Sequence, residues 1–138
     1  MNPRLLQPIR ETCKRHGIDP TQRLLIASVA DQRLAECRQI TGWEFVEERR
    51  IIISTSRNGV GQAEGSEKTP LGLHCIAEKF GDNLPAGMVF EGRQVTGTVE
   101  DEPDAAIAHR ILWLEGLEPG FNQGGNVDTH ARYVYIHG

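Results

Sequence analysis

Short β-rich runs separated by turn residues fill the chain after Asp19-Pro20, and this alternation constrains the fold more than any other feature. Most of these runs contain β-branched or aromatic residues, and they alternate with turn residues such as Gly, Pro, Asn, Asp and Ser, as strands and their turns usually do. The pattern predicts a mainly β fold. The predicted strands cover residues 24–29, 33–38, 44–55, 73–79, 88–99, 107–114 and 130–136.

A helix signal appears at the start of the chain, where apolar residues recur at spacings of three and four, at Leu6, Ile9 and Cys13. Pro8 suits the first turn of a helix, and Gly17 suits the position just after its last turn. These residues predict one N-terminal helix near residues 7–16.

The chain has 138 residues and a mass of 15.3 kDa, which is in the usual range for one compact domain. A chain of this size buries roughly two thirds of its unfolded surface, so it can form a core without disulfides. We therefore expect residues 1–20 to form a helix and connector, and residues 21–138 to form one domain.

The first three strands are close enough in sequence to pair as a meander. Residues 24–29 and 33–38 are separated by a short turn at Asp31-Gln32, which predicts a β-hairpin. The third run, residues 44–55, contains the triplet Ile51-Ile52-Ile53. Such a β-branched triplet is typical of a strand that is covered on both faces.

Charge and cysteine content exclude several classes of function. The chain has 15 Lys and Arg against 19 Asp and Glu, interspersed along the sequence, whereas nucleic-acid binding draws on clustered basic residues. No segment approaches the length of a membrane span, and the first ten residues lack the apolar stretch of a secretory signal. The spacing of Cys13, Cys37 and Cys75 suggests neither a disulfide framework nor a zinc site. We expect no nucleic-acid partner, no membrane span, no metal and no cofactor.

The segment from Ser56 to Ser66 is rich in glycine and follows a strand, so it invites comparison with phosphate-binding loops. A Walker loop needs Gly-Lys-Ser/Thr, whereas this chain has Gly65-Ser66-Glu67-Lys68-Thr69-Pro70, with a proline where the phosphate-capping helix should run. The dinucleotide fingerprint also fails, because Glu64 stands at its third glycine position. We interpret the segment as a surface turn.

Two further polar loops lie between the later strands. Residues 100–104 hold four carboxylates around a proline, which is typical of a solvated turn, and we assign them no role. Residues 115–128 form a long loop with four glycines, a candidate rim or lid. Within it, Asn122 and Asn126 are candidate substrate contacts by position alone.

The last run, residues 130–136, alternates in character, and His137 continues its tyrosine face directly before Gly138. A histidine at the mouth of a strand is placed for acid–base chemistry. An ordinary surface histidine is the commoner occurrence, so the assignment depends on the surrounding sequence.

Several segments together resemble the catalytic domain of the L,D-transpeptidase family, which cross-links peptidoglycan. Leu25–Val29 with Asp31–Leu34 is similar to the family's opening hairpin and its Gln-x-Leu pattern. Ile52–Ser56 with Thr69-Pro70-Leu71-Gly72 is similar to its Ser-Thr strand end and Thr-Pro-x-Gly turn, and Tyr135–Gly138 is similar to its His-Gly motif. The segments follow the family's order and cover most of the chain after the first helix.

The resemblance implies a fold of packed mixed sheets and an acyl transfer on a peptidoglycan stem peptide. Family members cleave the stem after its diamino-acid centre, hold the acyl group as a cysteine thioester and pass it to an amine of a neighbouring stem, or to water. This chemistry needs a thiolate, a histidine that takes its proton and amides that bind the oxyanion. His137 would be the histidine, and Gly138 would lie beside the substrate.

The Thr-Pro-x-Gly turn carries over more weakly from the family. Its residues Thr69, Pro70 and Gly72 would support the catalytic region and contact substrate. A proline-fixed corner with a permissive glycine is an equally good interpretation of the same residues.

The family's nucleophile lies in a Ser/Thr-x-Gly-Cys-x-Arg segment downstream of the His-Gly motif, and residues 1–138 do not include that segment. None of the three cysteines matches the motif, and His74 and Cys75, as neighbours on a strand, are expected to point to opposite faces. We expect this chain alone to be inactive. We also expect self-association through an open strand edge unless the missing C-terminal segment is supplied as a second chain.

Two hypotheses remain open. In the first, the protein is an L,D-transpeptidase or carboxypeptidase whose C-terminal part is absent from this sequence. In the second, it is a degenerate, non-catalytic relative that binds a peptide or a partner. The family works in the cell envelope, whereas this chain shows no export signal, so the cell envelope and the cytoplasm both stay open as locations.

Overall fold

The structure is a computed structural model that describes residues 2–81, 88–91, 93–100 and 110–138. The described part is mainly β, as the sequence predicts. Its elements are α1 (Pro3–Arg15), β1 (Arg23–Ser28), β2 (Arg33–Thr41), β3 (Glu44–Ile52), β4 (His74–Phe80), β5 (Met88–Glu91), β6 (Gln94–Thr98), β7 (Ile111–Gly116), a short 3-10 helix (Gly125–Val127) and β8 (Tyr135–His137).

The described residues group into two compact units. The first holds the chain up to Val60 together with Glu67–Thr69, and the second holds Gly61–Ser66 together with Pro70–Gly138. The division falls in the glycine-rich loop, and α1 is grouped with the first three strands.

Helix α1 begins earlier than the sequence predicts. The Asn2 side chain accepts a hydrogen bond from the Arg4 amide at 2.9 Å, and a proline follows directly at the first helical position. Pro8 is therefore inside the helix and does not start it. The predicted end is confirmed, because Gly17 has φ +65° and the Ile18 amide donates to the Cys13 carbonyl at 2.9 Å.

The first three strands form the predicted antiparallel meander, in the order β1-β2-β3. Gln32, at φ +51°, makes the turn between β1 and β2. Cys37 is fully buried in β2, and the other buried apolar residues described in this unit are Cys13, Leu34 and Phe45.

The prediction that the isoleucine triplet is covered on both faces is wrong. Ile51 is 44% exposed and Ile52 is 76% exposed. Ile51 and Ile52 lie on β3, an outer strand of the sheet, and Ile52 is opposite Arg33 in the last pair of β2 and β3. Both side chains are thus near the end of an outer strand, which has a neighbouring strand on one side only.

The second unit contains a three-stranded antiparallel sheet in the order β4-β7-β8. Ile111, at the start of the central strand, is fully buried and lies opposite both Phe80 and His137. The strands that the structure describes all pair antiparallel, and parallel geometry occurs only at two isolated bridges.

The predicted strand over residues 88–99 is a hairpin instead of one strand. β5 and β6 pair antiparallel with each other, with Glu91 opposite Gln94 and Arg93 at φ +68°. A turn therefore reverses the chain within the segment that the sequence predicts to be one strand. The predictions for residues 101–104 and 107–109 fall outside the described residues.

The last run is also shorter than predicted, because β8 contains only Tyr135–His137. Residues 129–133 form turns, and Tyr133 has φ +57°. The alternation of side-chain types in residues 130–134 therefore does not correspond to a strand, which begins only at Tyr135. Asp128 is the cause, since its side chain accepts hydrogen bonds from the amides of Ala131 and Gly124 and so curls the chain.

Candidate active site

His137 lies at the end of β8, exposed to solvent, as the sequence placed it. Its Nδ1 atom is 3.0 Å from the carbonyl oxygen of Gly138. A carbonyl can only accept, so Nδ1 carries the proton in the neutral ring, and Nε2 is left with a free lone pair. This tautomer is the one that a general base needs.

Cys75 is too far from His137 to be its nucleophile. Both residues pair with β7, but Cys75 is opposite Glu115 whereas His137 is opposite Ile111. Four residues along a strand correspond to about 13 Å. Burial, and then the negative charge of Glu115, raise the pKa of the Cys75 thiol, so this sulfur is also poor at forming a thiolate.

The other two cysteines are in the first unit and are buried. Burial, followed by the charge of Glu47, raises the pKa of the Cys37 thiol. An activated cysteine requires an accessible and electropositive setting. None of Cys13, Cys37 and Cys75 has such a setting.

A second histidine, His74, is the centre of a polar cluster that the sequence analysis did not identify. Its Nε2 lies 2.8 Å from the Thr129 hydroxyl, and its Nδ1 lies 3.1 Å from the Gly72 carbonyl. The Nδ1 atom must donate to that carbonyl, so Nε2 accepts from the hydroxyl. Burial lowers the pKa of His74, which keeps the ring neutral.

Asn122 is buried within the second unit, where its side chain joins the long loop of residues 115–128 to the start of β4. Its side chain is fully buried, and its Nδ2 donates to the carbonyls of Leu71 at 3.1 Å and Leu73 at 2.9 Å. Its Oδ1 accepts from the amide of Glu118 at 2.9 Å. The amide group is therefore used within the protein, and it is not exposed to a substrate as the sequence analysis suggested.

Gly72 is required by the same arrangement. It has φ +96°, and a Cβ atom there would collide with the Glu118 carboxylate, whose Oε2 accepts from the Leu73 amide at 2.8 Å. Gly116 is equally constrained, because its Cβ would overlap the backbone carbonyl of Asn122. The Pro70–Leu73 corner thus supports the loop through close backbone approach.

Thr69 belongs to the first unit and has a structural contact there. Its hydroxyl accepts from the Ser56 amide at 2.9 Å, and its own amide donates to Gly59 at 3.0 Å. In the same unit, Gln32 donates to the hydroxyl of Thr55 at 2.8 Å and accepts from its amide at 2.9 Å. The Gln-x-Leu and Ser-Thr segments of the resemblance are therefore hydrogen-bonded to each other.

The remaining predicted contacts are at the surface of the second unit. Asn126 is exposed in the 3-10 helix, and its carbonyl accepts from the amide of Glu64 at 2.7 Å. Gly138 is exposed beside His137, and Pro70 is half-buried. Their assignment as substrate contacts stays a prediction.

No protein-family model, curated protein or solved structure matches this chain. Within the described ranges, no helix is long and apolar enough to cross a membrane. The same residues contain no group of three or more His, Cys, Asp or Glu side chains arranged to hold a metal ion.

Proposed function

We propose that this chain is the front part of an L,D-transpeptidase-type domain, in which His137 serves a cysteine nucleophile in acyl transfer on peptidoglycan stem peptides. One observation carries the proposal. His137 is exposed at a strand end with Nδ1 directed at the Gly138 carbonyl, which leaves Nε2 free to accept a proton. The contacts between the Gln32 and Thr55 segments add support, because they join two of the motifs on which the resemblance rests.

In the proposed reaction the thiolate attacks the carbonyl carbon of the stem, and the C–N bond to the terminal residue breaks. His137 takes the thiol proton and returns it to the leaving amine, so the acyl group is held as a thioester. An amine of a second stem then attacks the thioester and regenerates the thiol. The cell envelope, where this substrate occurs, is the proposed site of action.

The test uses the longest form of the protein that the gene encodes. That protein is incubated with a stem tetrapeptide and an amine acceptor, and exchange products are detected by mass spectrometry. We expect exchange that is lost in His137→Gln, and a protein adduct of acyl mass that disappears in the same variant. An active His137→Gln protein would refute the assigned role.

The alternative function is binding without turnover, and the state of the cysteines favours it for residues 1–138 taken alone. Cys13 is buried, and burial raises the pKa of both Cys37 and Cys75. Calorimetric titration with a stem peptide distinguishes the two functions. Saturable binding by the 138-residue chain, with no exchange by any longer form, would replace the enzymatic proposal with the binding one.

A further inference from the structure

Trp113 of β7 is the centre of an aromatic cluster in the second unit. One face of its indole stacks on His130, with the ring centres 3.9 Å apart and the planes 8° from parallel. Tyr133 lies 5.8 Å away, and Tyr135 meets the indole edge-on at 5.9 Å. Such a cluster presents the electron-rich faces of several rings to one place.

A cation already occupies that place. The guanidinium carbon of Arg93 is 4.5 Å from the centre of the Trp113 ring and 5.4 Å from that of Tyr133. Its Nη1 donates to the Tyr135 hydroxyl at 2.9 Å. Two ring faces and one hydroxyl therefore recognise a single guanidinium, which is the geometry by which aromatic cages bind organic cations.

The backbone at Tyr133 is strained in a way that exposes this site. Tyr133 has φ +57°, a conformation rare for a bulky residue, and its side chain is 60% exposed. The turn that holds it is fixed by the Tyr133 amide, which donates to the His130 carbonyl at 3.1 Å. Strain of this kind persists only where surrounding contacts enforce it, and it is concentrated at functional sites.

Arg93 reaches the cluster from a separate hairpin. Among the strands that the structure describes, β5 and β6 pair only with each other and add no strand to the β4-β7-β8 sheet. Within the part of the chain that the structure describes, the contacts of Arg93 with Trp113, Tyr133 and Tyr135 are made by its side chain. A competing cation can replace these contacts without breaking a backbone ladder.

The electrostatic surroundings favour a positive ligand. The carboxylate of Glu78, on β4, lies 3.4 Å from Nε2 of the His130 ring. The hydrogen bond to the Tyr135 hydroxyl raises the pKa of Arg93, and the negative charge of Glu78 acts in the same direction. The cluster therefore stabilises positive charge.

We propose that Trp113, Tyr133 and Tyr135 form a binding site for an organic cation of the guanidinium type, and that Arg93 fills this site when the ligand is absent. The proposal is independent of acyl transfer, because it uses neither His137 nor a cysteine.

The first experiment measures binding by the fluorescence of Trp113. The chain has two tryptophans, so Trp43→Phe leaves Trp113 as the single reporter. The probe is N-acetyl-arginine amide, and its neutral isostere N-acetyl-citrulline amide is the control. We expect Arg93→Ala to bind the arginine probe about tenfold more tightly than the protein that retains Arg93, with no saturable response to citrulline.

A second variant tests the ring face directly. Tyr133→Gly removes the aromatic ring and also relieves the positive φ, so folding is not expected to suffer. In the Arg93→Ala background it should weaken binding of the arginine probe about tenfold. Equal binding of arginine and citrulline probes, or unchanged binding in the Tyr133→Gly protein, would overturn the proposal.

An NMR measurement on the unaltered chain tests the proposal even where Arg93→Ala disturbs the β5–β6 hairpin. The Nε–H resonance of Arg93 should be shifted by the ring currents of Trp113 in the free protein. Addition of N-acetyl-arginine amide should move that resonance toward its solvent value. A resonance that stays in place at saturating probe would show that Arg93 is a fixed structural residue and refute the exchange.

Discussion

Replacement of Asn122 by alanine should destabilise the second unit, and by more than the same change at Asn126 in the same loop. The change removes two hydrogen bonds that the Asn122 side chain donates, to the carbonyls of Leu71 and Leu73. It also removes the one that the side chain accepts from the Glu118 amide. Leu71 keeps a donor in Gln62, and Leu73 keeps one in the Leu117 amide.

The magnitude follows from the groups left behind. Each carbonyl loses a second hydrogen bond worth roughly 0.5–1 kcal/mol, and the Glu118 amide loses its partner at a cost of about 1–3 kcal/mol. The expected loss is therefore about 3 kcal/mol. With a urea m-value of about 2 kcal/mol/M, the unfolding midpoint should fall by about 1.5 M.

The assay is urea unfolding followed by Trp113 fluorescence in the Trp43→Phe background, so that the signal comes from the second unit. Asn126→Ala is the matched control, because that side chain is exposed in the same loop. Asn122→Asp should be at least as unstable at neutral pH, since an oxygen would then face two carbonyls. A loss below about 1 kcal/mol in Asn122→Ala, equal to the control, would refute the assigned role.

Three further predictions follow from the described contacts. Gly116→Ala should lower the free energy of unfolding by several kcal/mol, because the new Cβ overlaps a backbone carbonyl. Gly120→Ala, at φ +79° with open space around it, should lower it by only about 1 kcal/mol. Thermal melts of the two variants compare these losses. His74 has a lowered pKa, so its contribution to the free energy of unfolding is complete above the unfolded pKa of about 6.5 and is lost as pH falls through its lower folded pKa. Because one proton is involved, the slope is at most about 1.4 kcal/mol per pH unit. The difference between unfolding curves at pH 5.5 and 7.5 should therefore be smaller in His74→Gln than in His137→Gln. Gln32→Ala should destabilise the first unit by about 1–3 kcal/mol, because it leaves the Thr55 amide without this hydrogen-bond partner. The loss is measured by urea unfolding, followed by Trp43 fluorescence in the Trp113→Phe background. An unchanged unfolding midpoint would contradict this prediction.

The strand positions could be predicted from the sequence where local composition decides the structure. Residues 24–29, 33–38 and 73–79 have turn residues on both sides, and each strand lies within a few residues of its prediction. Local composition failed at residues 88–99 and 130–133, where turns that depend on Arg93 and Asp128 reverse or curl the chain.

The candidate site divides in the same way. The position of His137 at a strand end was predictable, because it depends on residues adjacent in sequence. The buried role of Asn122 was not, since its partners at Leu71 and Leu73 are about fifty positions away. Polar loop residues look alike in sequence whether they face solvent or a distant carbonyl.

The interleaving of the two units determines how the protein can be dissected. Val60 is the last residue of the first unit before the chain leaves it, yet Glu67–Thr69 returns to that unit. A fragment ending at Val60 would lose the Thr69 hydroxyl that holds the Ser56 amide. Fragment complementation should therefore require an overlap through Thr69, and expression of the first unit should extend to that residue.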